Sequence, residues 1–300
     1  MTWEAFAPAK VNLFLHVGSR QADGLHALCS LAVFADVGDR LRVRAADLTT
    51  FRLRGPFARL LEAESDSENL VMRALTLLRA RAAMRLPGLE VELEKRLPVA
   101  AGLGGGSADA AALLRTLNLA LGLGLNRQAL RQLAGELGSD VPMCLDSSPC
   151  VATGSGGTLA PAPCLPPLAA VLVNPGCGVS TGAVYNAYDT CEPRQADLPV
   201  WPKATAGARE LAEFLSAATR NDLEAPACSI EPQIRATLRL LRAAPETLMV
   251  RMSGSGATCF ALCEDVSAAT AFAARLTDAQ PGWWIQPCRL GGPWTETPAA

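Results

Sequence analysis

The sequence predicts an α+β fold of two domains, built from mixed, largely antiparallel sheets and packed helices. Three observations carry that expectation. Short stretches alternate apolar and polar residues, the signature of strands with one covered face. Longer stretches repeat their apolar residues at helical spacing, yet strands and helices follow one another without the regular alternation of a doubly wound parallel sheet. A proline-rich segment, Pro161-Ala162-Pro163-Cys164-Leu165-Pro166-Pro167, reads as a linker and divides the chain into residues 1–160 and 161–300.

Taken in order, Lys10 to Val17 alternates Val11, Leu13, Leu15 and Val17 on one face with Lys10, Asn12, Phe14 and His16 on the other. Asp39 to Ala45 alternates Leu41 and Val43 with Arg40, Arg42 and Arg44, and Leu89 to Glu94 alternates leucine or valine with glutamate. Both read as half-exposed antiparallel strands. Helices are predicted over Leu70 to Met84, Ala108 to Leu121, Arg127 to Leu137, Ser180 to Tyr188, Gly207 to Ala218, Pro232 to Ala243 and Ser267 to Leu276. Further strands fit Ala169 to Val173, Leu248 to Met252, Thr258 to Cys263 and Trp284 to Leu290, and Gly291 to Ala300 is expected to form a loose tail.

Composition narrows the function. The 300 residues are half apolar, enough for a sizeable core, and the net charge of −2 gives no general attraction for nucleic acid. Ten cysteines are scattered without a Cys-x-x-Cys pair, and only two histidines accompany them, so zinc-site spacing is missing. Cys259 and Cys263 have apolar neighbours and read as buried thiols of a reducing compartment. The first residues lack the layout of a signal peptide and no apolar run is long enough to span a bilayer, so a cytoplasmic protein without membrane partners is expected. Small ligands are the remaining class.

The loudest functional signal lies between Leu97 and Ala112, where Gly102-Leu103-Gly104-Gly105-Gly106-Ser107 runs into an alanine-rich helix. Glycines there let backbone N–H groups turn toward a bound anion, and Ser107 is placed to cap the helix. A Walker loop needs a lysine before its hydroxyl residue, and Gly106 stands there instead. A dinucleotide fingerprint wants glycine at position 107, and no acidic residue follows at the required distance. A flexible turn remains the other reading of such a cluster.

Together with this loop, the ordered segments Pro8-Ala9-Lys10-Val11-Asn12-Leu13, Asp23-Gly24-Leu25-His26, Gly138-Ser139-Asp140-Val141-Pro142 and Ser253-Gly254-Ser255-Gly256 resemble the GHMP small-molecule kinases over nearly the whole chain. Glu68-Asn69-Leu70-Val71, Asn174-Pro175, Val179-Ser180-Thr181 and Asn221-Asp222-Leu223-Glu224 extend the likeness. The resemblance implies the two-domain GHMP kinase fold, with ATP in the first domain and the acceptor between the two. It also implies transfer of the γ-phosphate to the 2-hydroxyl of 4-diphosphocytidyl-2-C-methylerythritol, in isoprenoid precursor synthesis, by a monomer or weak homodimer.

On that reading Asp140 is the base that accepts the hydroxyl proton, because an alcohol is a poor nucleophile at neutral pH. Lys10 balances the migrating phosphoryl group, and Asn12, on the same side of the strand, orients substrate or Lys10. Asn69 and the loop from Gly102 to Ser107 hold ATP, Thr181 and Asn174 lie on the acceptor side, and Lys95 or Arg96 meets the nucleotide. His26 satisfies the cytosine edge and Tyr185 stacks on the base. The family's usual aromatic before that histidine is Leu25 here. Mg²⁺ accompanies ATP with its ligands unassigned beyond a nomination of Ser107, and Asp109 helps to fix the loop.

Without the resemblance each of these residues has a plainer reading. Asp140 and Asn69 are sensible helix caps, Lys10 a strand-edge lysine, His26 a loop histidine and Tyr185 a helix-face aromatic. Ser253 to Gly256 reads equally as a phosphate cover or a turn between strands. Two other functions share the loop: a GHMP kinase for homoserine, mevalonate or a sugar, and a catalytically silent nucleotide-binding regulator. Asp23 to His26 and Asn221 to Glu224 speak against the first, and Lys10 with Asp140 against the second.

Overall fold

The computed structural model describes residues 2–61, 67–82, 86–192, 194–202 and 207–294. Strands β1 (Thr2–Arg20), β2 (His26–Ala46) and β3 (Thr50–Arg54) precede a short 3-10 turn, Ala58–Leu61, and helix α1 (Leu70–Arg81). Then come β4 (Gly88–Glu94), α2 (Gly105–Ala120), α3 (Arg127–Leu137), α4 (Val141–Asp146), β5 (Cys150–Gly154), β6 (Thr158–Pro161) and β7 (Leu168–Asn174). The chain continues through α5 (Thr181–Tyr188), α6 (Ala208–Ala218), α7 (Glu224–Ile230), α8 (Pro232–Arg242), β8 (Thr247–Met252), β9 (Cys259–Cys263), α9 (Val266–Ala279) and β10 (Trp284–Gly291).

One sheet joins all the strands, in the order β3-β4-β2-β10-β7-β9-β8, with β1 and β5 also paired to β2 and β6 to β5. The pairings are antiparallel except β3 with β4, which is parallel. The expected α+β class with mixed, largely antiparallel strands is what the molecule adopts. Among the described residues no helix is long and apolar enough to cross a membrane.

The long β1–β2 pair departs from simple alternation. Its register shifts between Pro8 and Lys10, between Asn12 and Phe14, and between Val17 and Arg20. A bulge inserts an extra residue and re-aims the side chains beyond it. Lys10 and Asn12 therefore share a side as expected, but Phe14 leaves it and joins Val11 and Leu13 in one apolar cluster, while Leu15 and Val17 enter another. Neither face is open to solvent, for β1 is buried from Ala5 to Val17. Helix α2 explains the burial: Ala108 and Ala110 to Leu114 are buried on nearly every side, and small side chains let it lie close against β1.

Most predicted helices stand within a few residues of their expected ends, with real caps. Asn69, Asn126, Ser180 and Asp265 each accept a backbone N–H of the following turn. Met84, the expected end of the first helix, and residues 295–300 of the expected tail lie outside the described residues. Gly291 closes β10 and the Trp294 indole donates to Phe34 O at 2.9 Å, so the described part of that tail is anchored rather than loose.

Candidate active site

A cavity of about 570 Å³ opens between the two halves of the chain. Lys10, Asn69, the whole stretch from Gly102 to Ser107, and Asp140 line it together with Thr181, Tyr185 and Ser255. Sequence positions far apart converge here because β1 carries Lys10 past the start of α2 and the start of α4. The backbone N–H of Lys10 donates to Leu103 O at 2.8 Å, which pins the glycine loop to the strand.

Helix α2 begins three residues earlier than Ala108. Its cap is Gly104, in the left-handed region at φ 63°, and no side chain caps it. Ser107 is therefore inside the first turn and does not cap the helix, contrary to expectation. Glycines at 105 and 106 disfavour helix, which is why propensity alone places the start after them. The first-turn N–H groups lack a side-chain acceptor and border the cavity, the arrangement that receives an anion. Gly102 has φ 74°, and a Cβ there would lie 2.1 Å from Ser253 O, so only glycine admits this contact. The Ser253–Gly256 segment is the turn joining β8 to β9, and it packs against the glycine loop: Ser253 Oγ donates to Gly102 O at 2.9 Å.

Asp140 occupies the position before α4, yet its carboxylate makes no capping bond. It turns instead to Lys10, with Oδ2 2.9 Å from Nζ. Lys10 also donates to Asn12 Oδ1 at 2.9 Å, and Asn12 Nδ2 donates to Ser30 Oγ at 2.7 Å. Ser30 in turn donates to Phe14 O at 2.6 Å, closing a buried chain that fixes the ammonium. The plainer reading of Lys10 as a strand-edge lysine fails, since the residue is buried.

Asn69 both borders the cavity and caps α1, its Oδ1 accepting from Val71 N at 3.0 Å. Thr181 Oγ1 lies 2.8 Å from Ser255 Oγ, which ties α5 to the β8–β9 turn across the cavity. Tyr185 is on the wall, whereas His26 is not; the His26 ring packs against Tyr185 with centroids 5.0 Å apart. Asn174 is buried away from the wall, its Nδ2 donating to Thr258 Oγ1 at 3.2 Å and its Oδ1 accepting from Gly176 N at 2.9 Å, so it serves the fold.

Lys95 borders the cavity, but its ammonium is already paired. Asp39 pairs with it closely, and Asp109 Oδ2 lies 2.8 Å away, all three side chains buried. Asp39 also accepts from the N–H groups of Arg96 at 2.6 Å and Leu97 at 2.8 Å. Burial lowers the affinity of Lys95 for its proton, but the two carboxylates outweigh it and push the ammonium above its ordinary range. Burial pushes the Asp109 carboxyl well up; Lys95 pulls it back and Asp39 pushes it further. Arg96 pairs with Glu94.

Sequence reasoning found neither Asp39 nor the task of Asn221. Asn221 Nδ2 donates to Met252 O and Gly254 O, each at 2.8 Å, while Glu224 accepts from Met252 N at 3.0 Å. The segment straps the β8–β9 turn in place. Asp222 accepts from Val17 N at 2.9 Å, binding the same strap to β1.

Known proteins resemble this chain in sequence and fold. Residues 69–148 match the GHMP kinases N terminal domain and residues 204–281 the GHMP kinases C terminal one. The 4-diphosphocytidyl-2-C-methyl-D-erythritol kinase of Caulobacter vibrioides (strain NA1000 / CB15N) is 50% identical over 291 residues, 97% of this chain and 100% of that protein. The protein of the same name from Rhizobium meliloti (strain 1021) is 47% identical over 292 residues, 95% of this chain and 94% of its own. A crystal structure of 4-(cytidine 5'-diphospho)-2C-methyl-D-erythritol kinase superposes with a TM-score of 0.75 at 35% identity, covering 97% of this chain and 100% of that one. A homoserine kinase from Cytophaga hutchinsonii, 19% identical with a TM-score of 0.66 and covering 98% of this chain and 97% of its own, shares the fold. The chain belongs to the GHMP kinases and, within them, to the family of 4-diphosphocytidyl-2-C-methyl-D-erythritol kinases.

Proposed function

We propose that the chain transfers the γ-phosphate of ATP to the 2-hydroxyl of 4-diphosphocytidyl-2-C-methylerythritol, a step of isoprenoid precursor synthesis. The observation that carries the residue roles is the Lys10–Asp140 pair, 2.9 Å apart at the wall of the cavity beside the glycine loop. Asp140 accepts the hydroxyl proton as the new P–O bond forms, and Lys10 offsets charge on the migrating phosphoryl group. Asn12, held to Ser30, fixes the ammonium in that position.

The division at residue 160 is part of this reading. Residues 1–160 hold ATP through Asn69 and the loop from Gly102 to Ser107, and residues 161–300 bring Thr181 and Tyr185 to the acceptor, while His26 reads its base. That residues of both halves line the cavity supports the split. The enzyme works in the cytoplasm as a monomer or weak homodimer, and ten cysteines without a disulfide among the described residues suit a reducing compartment.

Among the described residues no cluster of three His, Cys, Asp or Glu side chains is arranged to hold a metal. Mg²⁺ arrives with ATP on this reading, since this ion keeps phosphate and water as most of its ligands. Ser107, in the first turn of α2 on the cavity wall, is the protein hydroxyl we nominate to join them. When bound, the ion neutralises the β and γ oxygens.

Asp140→Asn tests the base directly. Turnover with ATP and the cytidine-linked acceptor is expected to fall about 10²-fold or more with the fold intact by circular dichroism. Near-normal turnover in the folded variant removes Asp140 from the role.

A further inference from the structure

The surroundings of His26 hold contacts that phosphoryl transfer does not use. Helix α5 and its cap present Tyr185, Tyr188 and Asp189, spaced as i, i+3 and i+4, to one imidazole. The Tyr185 ring lies 5.0 Å from it at 35°, and Tyr188 meets it edge-on at 5.9 Å and 73°. Asp189 Oδ1 is 2.6 Å from Nε2. The grip is itself fixed: Tyr188 donates its hydroxyl to Val17 O, and Asp189 N donates to Tyr185 O at 2.9 Å. Arg20, whose Nε donates to Gly24 O at 3.0 Å, brings Nη1 to 3.8 Å from Asp189 Oδ2. Among the described residues nothing bonds Nδ1.

We propose that Asp189 is a positioning residue for base recognition: it holds His26 in the tautomer protonated at Nε2, so that Nδ1 accepts from an amino group and selects cytosine over uracil. This rests on the proposed function, in which His26 reads the base of a cytidine-linked acceptor. A carboxylate accepts and does not donate, so the hydrogen of this bond belongs to Nε2. The neutral ring has one donor and one acceptor, and fixing one fixes the other. Cytosine offers its exocyclic amine at the position where uracil offers a carbonyl oxygen. Against Nδ1 the amine pairs, whereas the carbonyl sets two acceptors face to face. A histidine freed from Asp189 turns or changes tautomer to suit either base.

The experiment compares the wild-type enzyme with Asp189→Ala, Asp189→Asn and His26→Ala, using ATP with the cytidine-diphosphate acceptor and with its uridine counterpart. Asp189→Ala is expected to lower kcat/KM for the cytidine form about tenfold, through KM, and to narrow the cytidine preference by a similar factor. The KM for ATP stays unchanged. Asp189→Asn, whose carbonyl still accepts the Nε2 hydrogen, recovers part of the preference, and this guards against an alanine variant that merely folds poorly. With only two histidines in the chain, ¹⁵N-histidine NMR reads the tautomer directly. A protonated Nε2 and bare Nδ1 for His26 are expected in the wild type, and a mixture in Asp189→Ala. Retention of the preference within about twofold in folded Asp189→Ala, when His26→Ala abolishes it, overturns the role of Asp189 alone, as does a wild-type His26 protonated at Nδ1. If His26→Ala keeps the preference, the base-reading role and the role of Asp189 fall together.

Discussion

Two lysine–aspartate centres flank one glycine loop. A Cβ on Gly104 would lie 3.2 Å from Lys10 Cε, and one on Gly105 would lie 3.3 Å from Lys95 Nζ. The chemistry on the two sides is the same, but access differs. In the first centre the lysine side chain is 6% exposed and the Asp140 side chain 37% exposed, facing the cavity. In the second, Lys95, Asp39 and Asp109 are 4%, 0% and 2% exposed. A carboxylate open on one side can take a proton from a substrate and return it to water. A carboxylate enclosed with its cation stays paired to it, and here Asp39 also holds the backbone N–H groups of Arg96 and Leu97. The loop thus lies between a structural ion cluster and a reactive pair, and both reach the cavity wall.

The largest expected effect breaks the enclosed centre. Lys95→Met leaves Asp39 and Asp109 buried without their cation, and removing one partner of such a cluster costs about 3–5 kcal/mol. Unfolding in urea should report that loss, with the midpoint shifted and the slope little changed. A change under about 1 kcal/mol refutes the structural reading of Lys95. The same methionine at position 10 should reverse the emphasis. Asp140 stays open to solvent on one side, so stability should fall by less, about 1–3 kcal/mol, chiefly from the buried Asn12 Oδ1 left without its donor. Turnover, however, should fall about 10²–10³-fold while ATP affinity by calorimetry stays within a few fold. An effect confined to ATP affinity removes Lys10 from the phosphoryl transfer.

The comparison also marks what a sequence discloses. Helix α3 was legible end to end, because its apolar residues repeat at helical spacing over three turns and Asn126 caps it. Helix α4 has six residues and its periodicity never develops, so Asp140 could equally be read as a cap. The Lys10–Asn12 side of β1 was readable from pleating, yet the bulge that turns Phe14 away was not, since it depends on register with β2. Lys95 looked like a nucleotide ligand for a related reason: its partner Asp39 lies 56 residues earlier, inside a strand whose charges read as a solvated face. Local pattern reports local geometry, and pairings across the sheet carry no local mark. The short β5 and β6 strands escaped notice on the same ground.

The smallest expected effect is the most discriminating, because it concerns charge within the enclosed centre alone. One cation faces two carboxylates there, and Asp109 Oδ1 is buried without a hydrogen-bond partner. Burial, reinforced by Asp39, pushes the Asp109 carboxyl well above its ordinary 3.8 despite the pull of Lys95. Its folded form then binds a proton that its unfolded form has lost, so stability falls as pH rises from about 3.8 toward the raised folded value and stays at that lower level above it. Asp109→Asn carries its own hydrogens toward Asp39 while its oxygen still faces Lys95, which imitates the protonated acid. It should therefore change stability by only about 1 kcal/mol where the folded wild type holds its proton, and flatten that part of the pH profile. The check is urea unfolding of both proteins across the acidic and neutral range. A loss as large as that of Lys95→Met would mean that Asp109 is needed as a full negative charge, and that the cluster beneath the loop works as a balanced ion triad instead of one ion pair with a proton-holding neighbour.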